Sequence, residues 1–380
     1  MTSSVQSSAA GRVQPQTTVE PGGGPFIQHS QDGSTPMFTT SNLALSKSNQ
    51  ITPPLPSAPG YARKYRLLVE ATGGVNGTVA VAAEADAPFS AIQSVLLQDA
   101  FGTQLLSGSG FDMLYLVPKF GGQFGLGSQR DIKNLPSYSP VSVGAAGTGD
   151  FTFSTVLPLE FAKGIGTIGV ANAAIQPKLN VLTATDTAIY STPPGTLPTL
   201  TVQCQLDFYW LPQASNVTPP GEGTTMQWIS QAATPPITTA LAQPVTVQRA
   251  GGYISVIILE LRDSTGARID AFPDPLTVLV DGVPWVNAKP FSMVEDDMAI
   301  AYEGITRDTG VVAITRRTSL SQRDEGLLDT GMTYLSTSPG TSIQIGGSWG
   351  TIANAPAQLT VLLGQVVPVG SLVTGLPEAS

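Results

Sequence analysis

The sequence predicts an all-β fold: two tandem β-sandwiches behind a flexible N-terminal arm. Three observations carry that reading. Charged residues make up 12% of the 380-residue chain, about half the usual share of roughly 25%, so the Lys, Glu and Arg that coat the wet faces of long helices are scarce. The chain instead holds 40 Gly and 31 Pro, which punctuate the many turns that short strands require. Finally, two series of strand-like segments flank a Gly/Pro-rich stretch near the middle, as expected of two domains in a chain of this length.

Taken in order, residues 1–58 form the arm. Its charges, Arg12, Glu20, Asp32 and Lys47, cancel, and stretches such as Pro21-Gly22-Gly23-Gly24-Pro25 cannot bury enough apolar area to offset the entropy of ordering. One short ordered piece is expected near Phe38, Leu43 and Leu45. Strand signals start at Tyr61. Tyr65, Leu67, Val69 and Ala71 share one face, with Arg66 and Glu70 opposite. A turn at Gly73-Gly74-Val75-Asn76-Gly77 leads to a returning strand at 78–83. A further strand at 92–98 ends in the turn Asp99-Ala100-Phe101-Gly102. A short helix is expected at 111–117, then strands at 151–157 and 178–182. In the clearest strand, 202–210, Val202, Cys204, Leu206, Phe208 and Trp210 alternate with Gln203, Gln205, Asp207 and Tyr209, the pattern of one buried and one polar face.

Residues 216–223 read as a linker, so the first sandwich is assigned to 59–215, the second to 224–371 and a tail to 372–380. Strand signals resume with Val245 and Val247, pass Arg249-Ala250-Gly251-Gly252, and enter the most apolar run, 253–261. That run is too short for a membrane-spanning helix, which takes about 20 residues. The turn Asp263-Ser264-Thr265-Gly266 follows. Strands are then expected at 276–280, with a hairpin at Asp281-Gly282, at 311–315 and at 358–367.

A shift of 164 residues lays 78–102 over 242–266 without a gap. Val81 meets Val245, Phe89 meets Tyr253, Ile92 meets Val256, Leu97 meets Leu261, Asp99 meets Asp263 and Gly102 meets Gly266. The recurring order of strand, loop, buried strand and Asp-x-x-Gly turn reads as a domain duplication. Each half then holds about eight short strands, the content of an eight-stranded jelly roll.

No residue set invites catalysis. His29, the only histidine, lies in the arm with nothing to hold it against a nucleophile, and Cys204, the only cysteine, falls on an inward face. A lone cysteine excludes an intrachain disulfide or a cysteine-based zinc cluster and fits a reducing compartment. Glu295-Asp296-Asp297 lacks the alternate spacing and bend glycine of a calcium loop and reads as a solvated loop. Asp270, Asp274 and Asp281 are scattered, while Asp99 and Asp263 read as turn-formers; spacing cannot set two of these carboxylates across a cleft. The glycines from Gly121 to Gly127 do not fit a phosphate loop. Arg316-Arg317 is an isolated basic pair, and a net charge of −9 offers no attraction to nucleic acid. The triplets Asn76-Gly77-Thr78 and Asn216-Val217-Thr218 match a glycosylation acceptor, but no secretory signal is visible to bring it into play. No cofactor or metal is expected, and no enzymatic activity.

The layout resembles the double jelly-roll major capsid proteins of tailless, membrane-containing icosahedral phages, the tectivirus-like lineage. The resemblance spans roughly residues 60–370. It rests on 252–268 followed by 276–285, on 89–104 with 111–119 in the first half, and on overall length. It implies a structural protein of the virion capsid, assembled in the host cytoplasm as a homotrimer of pseudo-hexagonal outline. Its implied partners are neighbouring capsomers, other virion proteins at the vertices and an internal membrane beneath the shell. The arm, lacking the Lys and Arg of genome-binding arms, is expected to order on subunits or membrane, so that deleting 1–50 leaves soluble trimers with impaired shell closure. Two alternatives stay open. One is a receptor-binding spike or tail protein. The other is a carbohydrate-binding or carbohydrate-active sandwich, for which Trp228, Trp285 and Trp349 are the stacking candidates.

Overall fold

Alternating burial organises the chain into strands that pair almost entirely antiparallel. The computed structural model describes residues 26, 29–121, 131–160, 166–174, 176–211, 224–238, 244–302, 305–315 and 335–368. The expected linker 216–223, the tail 372–380, Arg316-Arg317, Asn216 and most of the Gly121–Gly127 stretch lie outside these residues.

The first half packs two sheets face to face. One runs in the order β1 (Asp32–Ala44), β11 (Thr199–Trp210), β3 (Gly60–Thr72), β7 (Phe151–Pro158). The other runs β2 (Gln50–Ile51), β9 (Lys178–Thr183), β5 (Ile92–Gln98), β6 (Gln104–Ser109). The core between them is the expected one: Tyr65, Leu67, Val69 and Ala71 from β3 and Val202, Cys204, Leu206 and Phe208 from β11 are all buried. Side chains alternate across a strand, so one face of each is committed to this core. The far end of β11 departs from the alternation: Trp210 is exposed while Tyr209 is buried, edge-on to Phe26 and beneath Arg63.

The second half repeats this order. The sheet β12 (Thr224–Ala232), β18 (Gln358–Pro368), β13 (Val245–Arg262), β16 (Val311–Thr315) matches β1, β11, β3, β7. The 18-residue β13 passes between sheets. Its end from Tyr253 to Arg262 pairs with β18, whereas 245–254 pair with β17 (Leu335–Gly347). That first part, with β17, β14 (Leu276–Val280) and β15 (Val283–Lys289), matches β2, β9, β5, β6. Both halves are therefore eight-segment jelly rolls, the second with two segments fused in one strand. Asp281 and Gly282 hold positive φ of 51° and 76°, as the tight β14–β15 hairpin requires.

Each half also carries a helix after its fifth segment. In the first, a π-helical turn, Asp112–Leu116, runs into α1 (Val117–Phe120). In the second, α2 (Phe291–Ala301) follows β15.

Four sequence expectations change. Residues 32–51, assigned to the arm, supply β1 and β2. β1 is an outer strand held to β11 by backbone pairing from Asp32 to Ala44, and with Met37 its only buried side chain it shows no apolar period. The returning strand at 78–83 shrinks to β4 (Ala82–Ala83), paired with β10 (Tyr190–Thr192); residues 78–80 are exposed, so no burial draws them into a sheet, and the buried Val81 makes only an isolated bridge to Gly144. Glu295-Asp296-Asp297 lie on α2, not in a loop. The duplication register also moves, because the 164-residue shift lays β5 on the end of β13, whose topological counterpart is β3. By topology, β5 corresponds to β14 and the 112–120 helix to α2, a shift of about 180. The misleading likeness is local chemistry. Asp99 Oδ1 accepts from the N–H groups of Phe101 and Thr103, and Asp263 Oδ1 from those of Thr265 and Ala267, each turn closing on a positive-φ glycine. Such a turn serves any strand end.

Candidate functional site

Polar chemistry concentrates where the two sandwiches meet. β6, the outer strand of its sheet, pairs in parallel with β12 through Leu106↔Trp228 and Ser107↔Ile229, so one eleven-stranded sheet runs through both halves. Trp228 is fully buried in this seam. Its ring lies where a Cβ on Gly364 would sit 2.5 Å away, which explains the glycine in the middle of β18. Gln227 Nε2 donates to the Gln104 carbonyl across the same junction at 2.5 Å.

At one end of the seam stands Lys119, with 0% exposure. Its Nζ donates to Tyr115 Oη at 2.9 Å, to the Thr306 carbonyl at 2.9 Å and to Asp308 Oδ2 at 2.7 Å, and lies 3.0 Å from Asp131 Oδ2. Tyr115, Lys119 and Asp131 belong to the first half, Thr306 and Asp308 to the second. Burial alone would raise Asp308; the ammonium of Lys119 and the hydroxyl of Tyr115 overcome it and hold the carboxyl below its ordinary value. Phe120 meets Tyr302 edge-on at 5.1 Å beside this cluster.

At the other end Arg262 Nη2 lies 2.6 Å from Asp86 Oδ2 and 2.5 Å from Glu260 Oε1, and Arg268 Nε lies 3.1 Å from Asp86 Oδ1. Both guanidiniums cover the Phe111 ring, at 5.6 and 4.6 Å. Asp112 Oδ2 accepts from Ser230 Oγ at 2.8 Å. Asp86, Asp112, Glu260 and Arg262 line an open cleft of about 800 Å³ to which both halves contribute. Burial, reinforced by the neighbouring Asp112 carboxylate, raises Glu260 to about 8 despite Arg262. Sequence reading missed this cluster because its acids lie far apart in the chain and match no motif.

The residues singled out in the sequence are not brought together. His29 is exposed. Cys204 is buried, and burial pushes its thiol up to about 12. Asp270 pairs with Arg307, Asp274 accepts from the Phe291 N–H and Asp281 from the Ser342 N–H. On α2, Glu295 faces Arg307 and Asp297 pairs with Lys289. Trp285 and Trp349 pack half-buried against the core. Asn76 sits in an exposed loop.

No family model and no curated protein matches the sequence. Solved structures do match, over nearly the whole chain. The STIV MCP is 15% identical, with 91% of this chain and 100% of that chain covered and a TM-score of 0.56. A chain from the atomic structure of Sulfolobus Turreted Icosahedral Virus is 14% identical, covering 91% and 94% with a TM-score of 0.59. A chain of the PBCV-1 virus capsid is 10% identical, covering 89% and 93% with a TM-score of 0.57. The fold is the double jelly roll. In this double jelly roll the polar clusters sit between the barrels and tie one to the other, through Asp308 answered by Lys119 and Asp86 answered by Arg262 and Arg268, each a cation from the opposite half. Buried ion pairs of this kind specify how two bodies fit.

Proposed function

We propose that this chain is a structural major capsid protein, which trimerises into pseudo-hexagonal capsomers that tile an icosahedral virion shell. The single observation that carries the reading is the tandem pair of jelly rolls fused through one sheet, a layout matched from end to end by proteins of two icosahedral or capsid-titled virus structures. Two similar barrels per chain give a three-copy ring six similar walls, and ring closure needs only one heterologous contact repeated. Low charge and abundant neutral polar residues suit walls that will be covered by neighbours. In this reading the protein acts by self-association, without catalysis; its partners are neighbouring capsomers, vertex proteins and a membrane beneath the shell, and its location is the virion.

Light scattering on the purified protein tests this directly. The expected mass is three times the 39.4 kDa protomer, with a three-fold particle of hexagonal outline in negative-stain images. A stable monomer that forms no particles at any concentration would overturn the reading. A receptor-binding spike would also be a trimer, but gel densitometry of virions would find it a minor band where a shell protein dominates.

A further inference from the structure

The open cleft at the Arg262 end of the seam holds more acid than its own cations answer. Asp86, Asp112 and Glu260 line it beside a single guanidinium, Arg262. Arg262 is committed to Asp86 and Glu260, and Arg268, the second cation of the cluster, to Asp86. Asp112 has no cation among the described residues. It is 3% exposed; its Oδ2 accepts from Ser230 Oγ at 2.8 Å, while its Oδ1 has no hydrogen-bond partner among the described residues. Ser90 Oγ, in the short turn before β5, is buried and lacks a partner in the same sense, and Ser90 lines the same cleft. A buried carboxylate oxygen without a donor is costly and calls for an occupant. Glu260, raised first by burial and next by the charge of Asp112, meets the same deficit by keeping a proton.

The cleft has the size of a small-molecule site, which spans roughly 300–1,000 Å³. Small apolar side chains, Ala184, Ala188 and Ala232, lie among its polar groups and leave room for a methylene stem. A metal ion suits it poorly, because no three His, Cys, Asp or Glu side chains among the described residues converge to hold one. A primary ammonium brings three donors and no acceptor, which is what orphaned acceptors lack. We propose that this cleft binds an aliphatic amine of the polyamine class, with its ammonium between Asp112 of the first half and Glu260 of the second and its methylene stem along Ala184 and Ala232. The bound cation joins a carboxyl of each half and so tightens the seam. The inference stands on the cleft alone and does not depend on the capsid reading.

Titration calorimetry of the full chain with spermidine tests it, at about 0.15 M salt so that pairing with surface acids is screened. The expected result is one saturable site per chain and a melting temperature that climbs with spermidine concentration. Asp112→Asn keeps an acceptor for Ser230 and is expected to weaken binding about tenfold or more, with an unchanged circular dichroism spectrum. Ala232→Phe fills the cleft without altering its charge and is expected to abolish binding, which keeps the test decisive should Asp112→Asn fail to fold. Binding is also expected to drive the proton off Glu260, so that the measured heat differs between buffers of unlike ionisation enthalpy; Glu260→Gln removes that difference. No saturable heat with spermidine overturns the proposal. Equal binding by the unmodified chain, Asp112→Asn and Ala232→Phe does the same, since it shows only general attraction to an acidic chain. Calcium chloride that binds one ion per chain where spermidine does not would make the cleft a metal site and end the amine reading. Light scattering of the unmodified chain reports on the capsid reading separately, so either can fail without the other.

Discussion

Removing the ammonium of Lys119 would leave the largely buried carboxylates of Asp131 and Asp308 facing one another, with only the partly exposed Lys133, 3.5 Å from Asp308, to answer them. Breaking one partner out of a buried ion cluster costs about 3–5 kcal/mol, since the remaining charge has no compensation. Lys119→Met, which keeps the length and apolar stem, is therefore expected to lower the unfolding free energy by that much, read as a lower urea midpoint with little change in slope. Asp308 adds a pH signature. Its carboxyl is held below the ordinary 3.8, so its stabilisation is complete above that pH and is lost as pH falls through the lower folded value. Glu260 runs the other way. Its value rises from 4.5 unfolded to about 8 folded, so the folded state keeps a proton that the unfolded chain releases. That contribution is complete below pH 4.5 and disappears as pH climbs towards 8. Glu260→Gln should flatten the fall in melting temperature between pH 5 and 8, and at pH 9 should leave the variant the more stable by roughly a few kcal/mol. An identical fall in both proteins would show that Glu260 titrates as an ordinary exposed acid.

Among the elements, those that bury an alternating face were legible in the sequence and those that do not were not. β3, β5, β7, β11 and β18 lie where their apolar periods predict, because burial wrote the pattern. β1 and β15 are outer strands stabilised by pairing on one side, with mostly exposed side chains, and backbone hydrogen bonds leave no trace in residue type. α2 escaped for a related reason: its three buried positions sit among Glu295, Asp296 and Asp297, which read as solvated chain. The polar clusters of the seam were illegible altogether, since only the packing of the halves brings Asp86 to Arg268 and Lys119 to Asp308. The strand β1 also reverses one expectation. Deleting 1–50 removes β1 and half of β2, stripping β11 of one of its two partners from Thr199 to Tyr209 and exposing apolar core. That truncation is expected to aggregate rather than form soluble trimers, while deletion of 1–25 leaves every described strand intact and should remain soluble at wild-type yield. Soluble, natively folded protein from the longer deletion would mean that β1 is dispensable to the first sandwich.

Two sandwiches on one chain would ordinarily be expected to unfold separately, because interdomain contacts are usually small and wet. Here the joint is a shared sheet, a fully buried tryptophan and two ion clusters, each drawing residues from both halves. Opening the joint would strand Lys119 against half its partners, expose Trp228 and leave β6 an open edge, so neither half keeps its stability when the other is lost. The whole molecule should therefore melt in a single calorimetric transition, with the van't Hoff and calorimetric enthalpies equal within error. Ile229→Pro offers a way to break that coupling, because proline supplies no N–H and its ring disfavours continuous pairing within β12. Combined with Lys119→Met, it should split the transition in two, the second sandwich melting first because β12 is one of its own strands. Two transitions in the unmodified protein would mean that the seam is a contact between independent domains, and that the continuous sheet contributes little to holding the barrels in the fixed relation a six-walled capsomer requires.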